Sequence, residues 1–129
     1  MRVLVCMVIA LFLANFSFGQ SNDNSMDLLL EPGESEYVFN SSKAISYHDD
    51  EGNLKQVGIF TEGERDQNWQ TWYPNGQLQA KAQFDMGMKT GTWFVYDEHG
   101  QLRYEIEYKE NKLQGAKAWN AQGELVAVK

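Results

Sequence analysis

Cysteine is almost absent. The 129-residue chain has one, Cys6, and it lies in a segment read below as removed on export. A chain without that segment forms no disulfide and offers no thiol chemistry. Histidine is nearly as scarce, with His48 and His99 alone, and the chain has no Cys/His constellation of the kind that binds zinc. Proline occurs twice, at Pro32 and Pro74, so little of the chain is barred from strand ladders. Basic charge is short: 11 Lys and Arg stand against 18 Asp and Glu, a formal net charge of −7. A surface that acidic repels phosphate backbones and anionic head groups, which argues against nucleic acid and anionic membrane as partners. Phosphate-cradling glycine loops and nucleophile elbows are missing as well.

The only long apolar run is at the start. Arg2 precedes Val3 to Leu13, and Ser17 and Gly19 occupy the −3 and −1 positions of a small-x-small cleavage site. These three features together read as a secretory signal peptide over residues 1–19. The run is shorter than the roughly 20 residues a spanning helix needs. Removing it takes away Arg2 and no acid, which leaves 10 basic against 18 acidic residues. The exported chain then starts at Gln20 and is periplasmic or secreted. Residues 20–43 read as a flexible arm, with a polar stretch at Ser21 to Ser25 and an apolar island at Met26 to Leu30 ended by Pro32-Gly33. Leu28 to Leu30 have the composition to cover a sheet edge, and Tyr37-Val38-Phe39 that of a short strand. Asn40-Ser41-Ser42 matches the glycosylation pattern, a three-residue match expected by chance.

Residues 44–129 are dominated by a repeat. Gly52, Gly76 and Gly100 are 24 apart, Gly123 follows at 23, and Leu54, Leu78, Leu102 and Leu125 each stand two residues later. Phe60, Phe84 and Tyr108 stand at glycine plus eight, and Gly63, Gly87 and Asn111 at glycine plus eleven. A fixed period of this size marks stacked supersecondary units. Each unit reads as a β-hairpin. Leu78, Ala80, Ala82 and Phe84 alternate with Gln79, Lys81 and Gln83, and Leu102, Tyr104, Ile106 and Tyr108 alternate with Arg103, Glu105 and Glu107, the mark of half-buried strands. The companion strands read as shorter: Trp69 to Tyr73, Trp93 to Tyr96 and Ala116 to Trp119. The spacing predicts an all-β, antiparallel, twisted meander of seven or eight strands, in which no hairpin is stable without its neighbours.

The aromatics pose a question that spacing leaves open. Trp69 and Trp72 are three apart, as are Trp93 and Tyr96, an odd spacing that places them on opposite faces unless a bulge re-aims one ring. Core stacking explains most of these rings. An exposed strip for a partner is the functional alternative, with Trp69, Trp72, Trp93, Tyr96 and Trp119 as candidate contact residues. The histidines fall in turns beside Asp49-Asp50-Glu51 and Asp97-Glu98, where solvated turn residues are the ordinary reading. Glu105 and Glu107 share a strand face, the commonest place for a wet carboxylate. No catalytic residue, metal site or cofactor is expected.

The run Gly91-Thr92-Trp93-Phe94-Val95-Tyr96-Asp97-Glu98-His99-Gly100-Gln101-Leu102 resembles the MORN repeat variant of bacterial proteins, G-x-W-x-x-Y-x-x-N-G-x-L. Trp69 to Leu78, with Pro74-Asn75-Gly76, is a second good copy. Two flanking copies are degenerate: Gln67 stands where the first Gly belongs, Lys117 near the last tryptophan position, and Tyr47 or His48 near the first tyrosine position. The resemblance implies an antiparallel β-meander used for interaction rather than catalysis. Some members carry an antitoxin label, which suits an exported chain poorly. The expected function is therefore an exported, non-enzymatic protein-interaction or scaffold module, with binding of a glycan or envelope polysaccharide as the alternative. An antitoxin-like role and an enzyme are the remaining readings. Open sheet edges also allow an edge-to-edge homodimer. The signal-peptide reading is checked by sequencing the N-terminus of the exported protein, which should begin at Gln20; an exported chain that begins at Met1 contradicts it.

Overall fold

The computed structural model describes residues 35–39 and 41–129. The signal segment, the Leu28 to Leu30 island and Asn40 lie outside the described residues. The chain folds as one antiparallel sheet: β1 Ser35–Phe39, β2 Ser42–His48, β3 Leu54–Thr61, β4 Glu64–Trp72, β5 Leu78–Asp85, β6 Met88–Lys89, β7 Gly91–Tyr96, β8 Leu102–Lys109, β9 Lys112–Trp119 and β10 Leu125–Val128. Spatial order follows sequence order, β1-β2-β3-β4-β5-β7-β8-β9-β10, and the two-residue β6 pairs with β5 beside β7. Nine strands on this path span roughly 40 Å.

The meander is longer than the seven or eight strands expected. Pairing starts upstream of Ala44, because the β1–β2 hairpin joins the sheet with Glu36 opposite Ile45 and Val38 opposite Lys43. The companion strands are also longer than their apolar residues suggested. β4 begins at Glu64 and β9 at Lys112, because the connections before them are two-residue turns. Glu62-Gly63, Met86-Gly87 and Glu110-Asn111 all have positive φ, from 44° to 84°. That is the type I′ hairpin turn, whose twist matches the flanking strands and whose second position favours Gly or Asn. Gln67, at φ 57°, holds the left-handed conformation that Gly91 holds at φ 63° one unit later.

Among the described residues no second layer covers the sheet, so the core seen here is built from its own long side chains. Phe60, Trp69, Phe84, Trp93 and Tyr108 come from β3, β4, β5, β7 and β8 and form a continuous ladder of rings. Successive centroids are 5.1, 6.2, 5.1 and 5.1 Å apart, edge-on or tilted, the arrangement favoured by ring quadrupoles. Small residues make room for them: Trp69 lies opposite Ala82, and Ile106 opposite Ala116. Each buried indole N–H donates to a carbonyl, Trp69 Nε1 to Ile59 O at 3.2 Å and Trp93 Nε1 to Gln83 O at 3.1 Å.

Cations roof the ladder. The Arg65 guanidinium sits 4.8 Å from the Trp69 ring and 5.6 Å from Phe84, and Lys89 Nζ sits 5.5 Å from Trp93 and 5.3 Å from Tyr108. Arg65 and Lys89 are equivalent positions, 24 residues apart. Their stems cover apolar surface while the charge faces the rings, worth about 0.5–2 kcal/mol each depending on desolvation. Burial pushes the Lys89 ammonium below its ordinary range.

Trp69 needs a gap beneath it. A Cβ on Gly58 would lie 2.2 Å from the indole, a clash with a ring locked on both sides. Gly58→Ala is therefore expected to destabilise the fold by about 1–3 kcal/mol. For a domain of this size that is a fall in Tm of roughly 5–20 °C, read by thermal circular dichroism. An unchanged Tm would show that the ladder can shift to accept the methyl.

Candidate functional site

The five aromatic candidates do not form one surface. Trp69 is 1% exposed and Trp93 3%, so their rings are enclosed by the core and unavailable to a partner while the sheet is folded. Trp72, Tyr96 and Trp119 are half-buried. Strand alternation from the buried Trp69, Val95 and Ala118 puts these three on the opposite face of the sheet. They are also absent from the core cluster and from the side chains packed on it. The odd spacing within each doublet is thus explained by two faces. Bulges do occur here, but they lie in the facing strands. The register shifts between Thr71 and Trp72, and between Val95 and Tyr96, so that Trp72 pairs with Leu78 and Tyr96 with Leu102. Trp119 pairs with Leu125.

The outer face thus carries a row of aromatic residues on β4, β7 and β9, each two strands from the next. Beside it runs a mostly polar row, interrupted by Phe94. Gln70, Lys81, Phe94, Glu105 and Lys117 follow one another in register across five strands. Lys117 Nζ donates to Glu105 Oε1 at 2.7 Å, so Glu105 is an ion-paired strand residue rather than half of a carboxylate pair with Glu107. A shallow depression lined by Asn68, Gln70 and Lys81 lies over Trp69 and Ala82. Among the described residues, no group of three or more His, Cys, Asp or Glu is placed to hold a metal ion.

The aromatic row ends at four loops of one design. In each, a glycine N–H bonds the carbonyl three residues back: Gly52 to Asp49, Gly76 to Tyr73, Gly100 to Asp97 and Gly123 to Asn120, at 2.9–3.0 Å. This is a type I turn closed by a left-handed residue. Asp97 Oδ1 accepts the N–H groups of His99 and Gln101, and Asp49 Oδ1 those of Glu51 and Asn53. Asn120 Oδ1 does the same for Gln122 and Glu124. His99 is thus a turn residue whose backbone is held by Asp97. Tyr73 stands at this position in the second loop and reaches sideways instead. Its hydroxyl donates to Tyr96 O at 2.9 Å, and Asn75 Nδ2 donates to Glu98 O at 2.8 Å. These contacts lock one loop to the next, a role that spacing alone did not reveal. The roles of Arg65 and Lys89 were equally hidden, although their 24-residue separation was a usable signal.

The loop carboxylates give the fold an acid dependence. The N–H groups of Gln101 and His99 and the Arg103 guanidinium 3.7 Å away hold the Asp97 carboxyl below the usual carboxylate range. Asn53, followed by Glu51 N–H and Lys55, does so for Asp49. Both titrate lower in the folded than in the unfolded chain. Their stabilisation is therefore complete above the ordinary carboxylate value of about 4 and is lost as pH falls through the lowered folded values. Tm should decline below about pH 4. Asp97→Asn keeps the acceptor, as Asn120 does in its own loop, and should flatten part of that decline. An identical acid profile for the variant would show that Asp97 does not contribute.

No curated protein matches the chain. The profile of the MORN repeat variant family matches residues 68–86 and 89–110, the stretch that contains both inner Trp rings, Trp72, Tyr96 and the loops between them, so the centre of this sheet is similar to MORN repeat variants.

Proposed function

We propose that the chain is an exported, non-enzymatic interaction module whose outer-face aromatic row, Trp72, Tyr96 and Trp119, contacts another protein. The observation that carries this reading is the split between the two ring positions of each unit. One set of rings builds the core. The other recurs at equivalent places on the opposite face, where folding does not enclose it. Aromatic side chains that keep a large, rigid surface near solvent are the usual anchors of protein interfaces. The similarity to a repeat family supports a binding role, since stacked repeats present the same chemistry at regular intervals along one surface. The acidic surface argues against nucleic acid and anionic membrane.

Half-exposed tryptophans also favour a second reading, because indole faces stack on sugar rings. One experiment separates the two. A photo-crosslinking phenylalanine analogue is placed at position 119 and the protein is produced and exported in its native host. A discrete cross-linked protein band, lost when the analogue sits instead at the exposed position 109 at the opposite end of the sheet, is expected. Retention of the protein on a neutral envelope polysaccharide, with no protein adduct, would overturn the protein reading in favour of the glycan one.

A further inference from the structure

The outer row carries enough geometry to specify the shape and charge of its ligand, given the protein-interaction reading on which this inference rests. Trp72, Tyr96 and Trp119 lie on β4, β7 and β9, with β5 and β8 between them. At two strand spacings, neighbouring rings are about 10 Å apart. An extended β-strand shows same-side residues every 7 Å or so, out of step with this. A polyproline-II segment has three residues per turn at about 3.1 Å each and presents one side every 9 Å or so. It also has no internal hydrogen bonds, so its carbonyls need donors. The row supplies them. Trp69 and Trp93 donate their indole N–H groups inside the sheet. By contrast, the indole N–H groups of Trp72 and Trp119 and the hydroxyl of Tyr96 have no acceptor among the described residues.

Charge fixes the second property. The four loops that border the row, 49–53, 73–77, 97–101 and 120–124, contain Asp49, Asp50, Glu51, Asp97, Glu98 and Glu124 and no Lys or Arg. Asp49 and Asp97 are turned into their own loops. Asp50, Glu51, Glu98 and Glu124 are exposed. Glu124 accepts from Asn120 Nδ2 at 2.8 Å and Glu51 from Asn53 Nδ2, and Arg103, on β8 between Tyr96 and Trp119, is engaged by Asp97 at 3.7 Å. A segment lying along the row would therefore meet aromatic faces beside the exposed Glu98 carboxylate, which suits Lys or Arg through cation–π contact and ion pairing. We propose that the Trp72–Tyr96–Trp119 row binds a polyproline-II segment of a partner protein that carries Lys or Arg.

The test uses the exported protein and three fluorescein-labelled peptides of four triplets each: Lys-Pro-Pro, Glu-Pro-Pro and Lys-Gly-Ser. Anisotropy is measured at low and high salt. The Lys-Pro-Pro peptide is expected to bind at least tenfold more tightly than either of the others and to weaken in high salt. Tyr96→Ala should weaken it about tenfold. Because that truncation removes packing surface, Tyr96→Phe and Glu98→Gln are measured beside it. Each should weaken binding severalfold with Tm unchanged, while Glu62→Gln, at the opposite end of the sheet, should not. Equal binding of the Lys-Gly-Ser peptide, no binding of any peptide, or full binding by both Tyr96→Phe and Glu98→Gln would overturn the proposal. If the peptides fail but the position-119 adduct with a protein forms, only the polyproline assignment falls. If the protein is instead retained on polysaccharide with no adduct, the protein reading falls with it.

Discussion

The ring ladder from Phe60 to Tyr108 is what the rest of the sheet answers to. In a two-layer protein a strand buries its apolar face against another element. Among the described residues β1 to β10 have only one another, so side chains reach across the strands and are covered from above by neighbours in the same layer. Trp69 and Trp93 are long enough to do so, and their T-shaped and tilted contacts link five strands without a gap. The cost falls on the positions around them. Gly58 has no room for a methyl, the residue opposite Trp69 is Ala82, and Arg65 and Lys89 are held over the rings with their charge partly desolvated. The 24-residue period follows from the same demand, because a ring stacks only if the next hairpin offers its partner at the same height.

That origin explains what could be read from the chain and what could not. Positions whose residue type is forced by backbone or pleat were legible. Gly63, Gly87 and Asn111 marked the tight turns, and the alternation from Leu78 to Phe84 marked β5. The first half of β4 was not legible. Glu64-Arg65-Asp66-Gln67-Asn68 reads as a polar connection, yet it is strand, because a one-layer sheet has a wet face and uses a charged side chain as roof on the other. Arg65 looks solvated in sequence and is a core-covering residue in the fold. Tyr37-Val38-Phe39 was legible as a short strand and lies in β1, but its pairing with β2 was not, because its alternation is short and no glycine precedes it at the repeat spacing.

The odd spacing of the aromatic doublets is resolved by comparing equivalent positions across the four units. The inner position reads Ile45, Trp69, Trp93, Ala116. It is largest in the middle of the sheet and tapers toward the ends, as a core position should when the outermost units have fewer neighbours to enclose a ring. Lys117, which sequence spacing alone set near the last tryptophan position, lies one residue off this row and faces outward, paired with Glu105.

The outer position reads His48, Trp72, Tyr96, Trp119, and it does not taper. His48 takes the same bulged pairing with Leu54 that Trp72 takes with Leu78 and Tyr96 with Leu102. The fold therefore accepts a smaller polar ring there, and an aromatic is not required to make the turn or close the ladder. Trp119, in a unit whose inner position has shrunk to Ala116, retains a full indole beside a strand whose Leu125 is 53% exposed. Core packing accounts for the inner rings, whereas the outer ones lie outside that cluster and stay half-buried. Large aromatic side chains held near solvent lower solubility and invite association. Their recurrence every second strand, next to loops free of lysine and arginine, is the feature on which the proposed binding role rests.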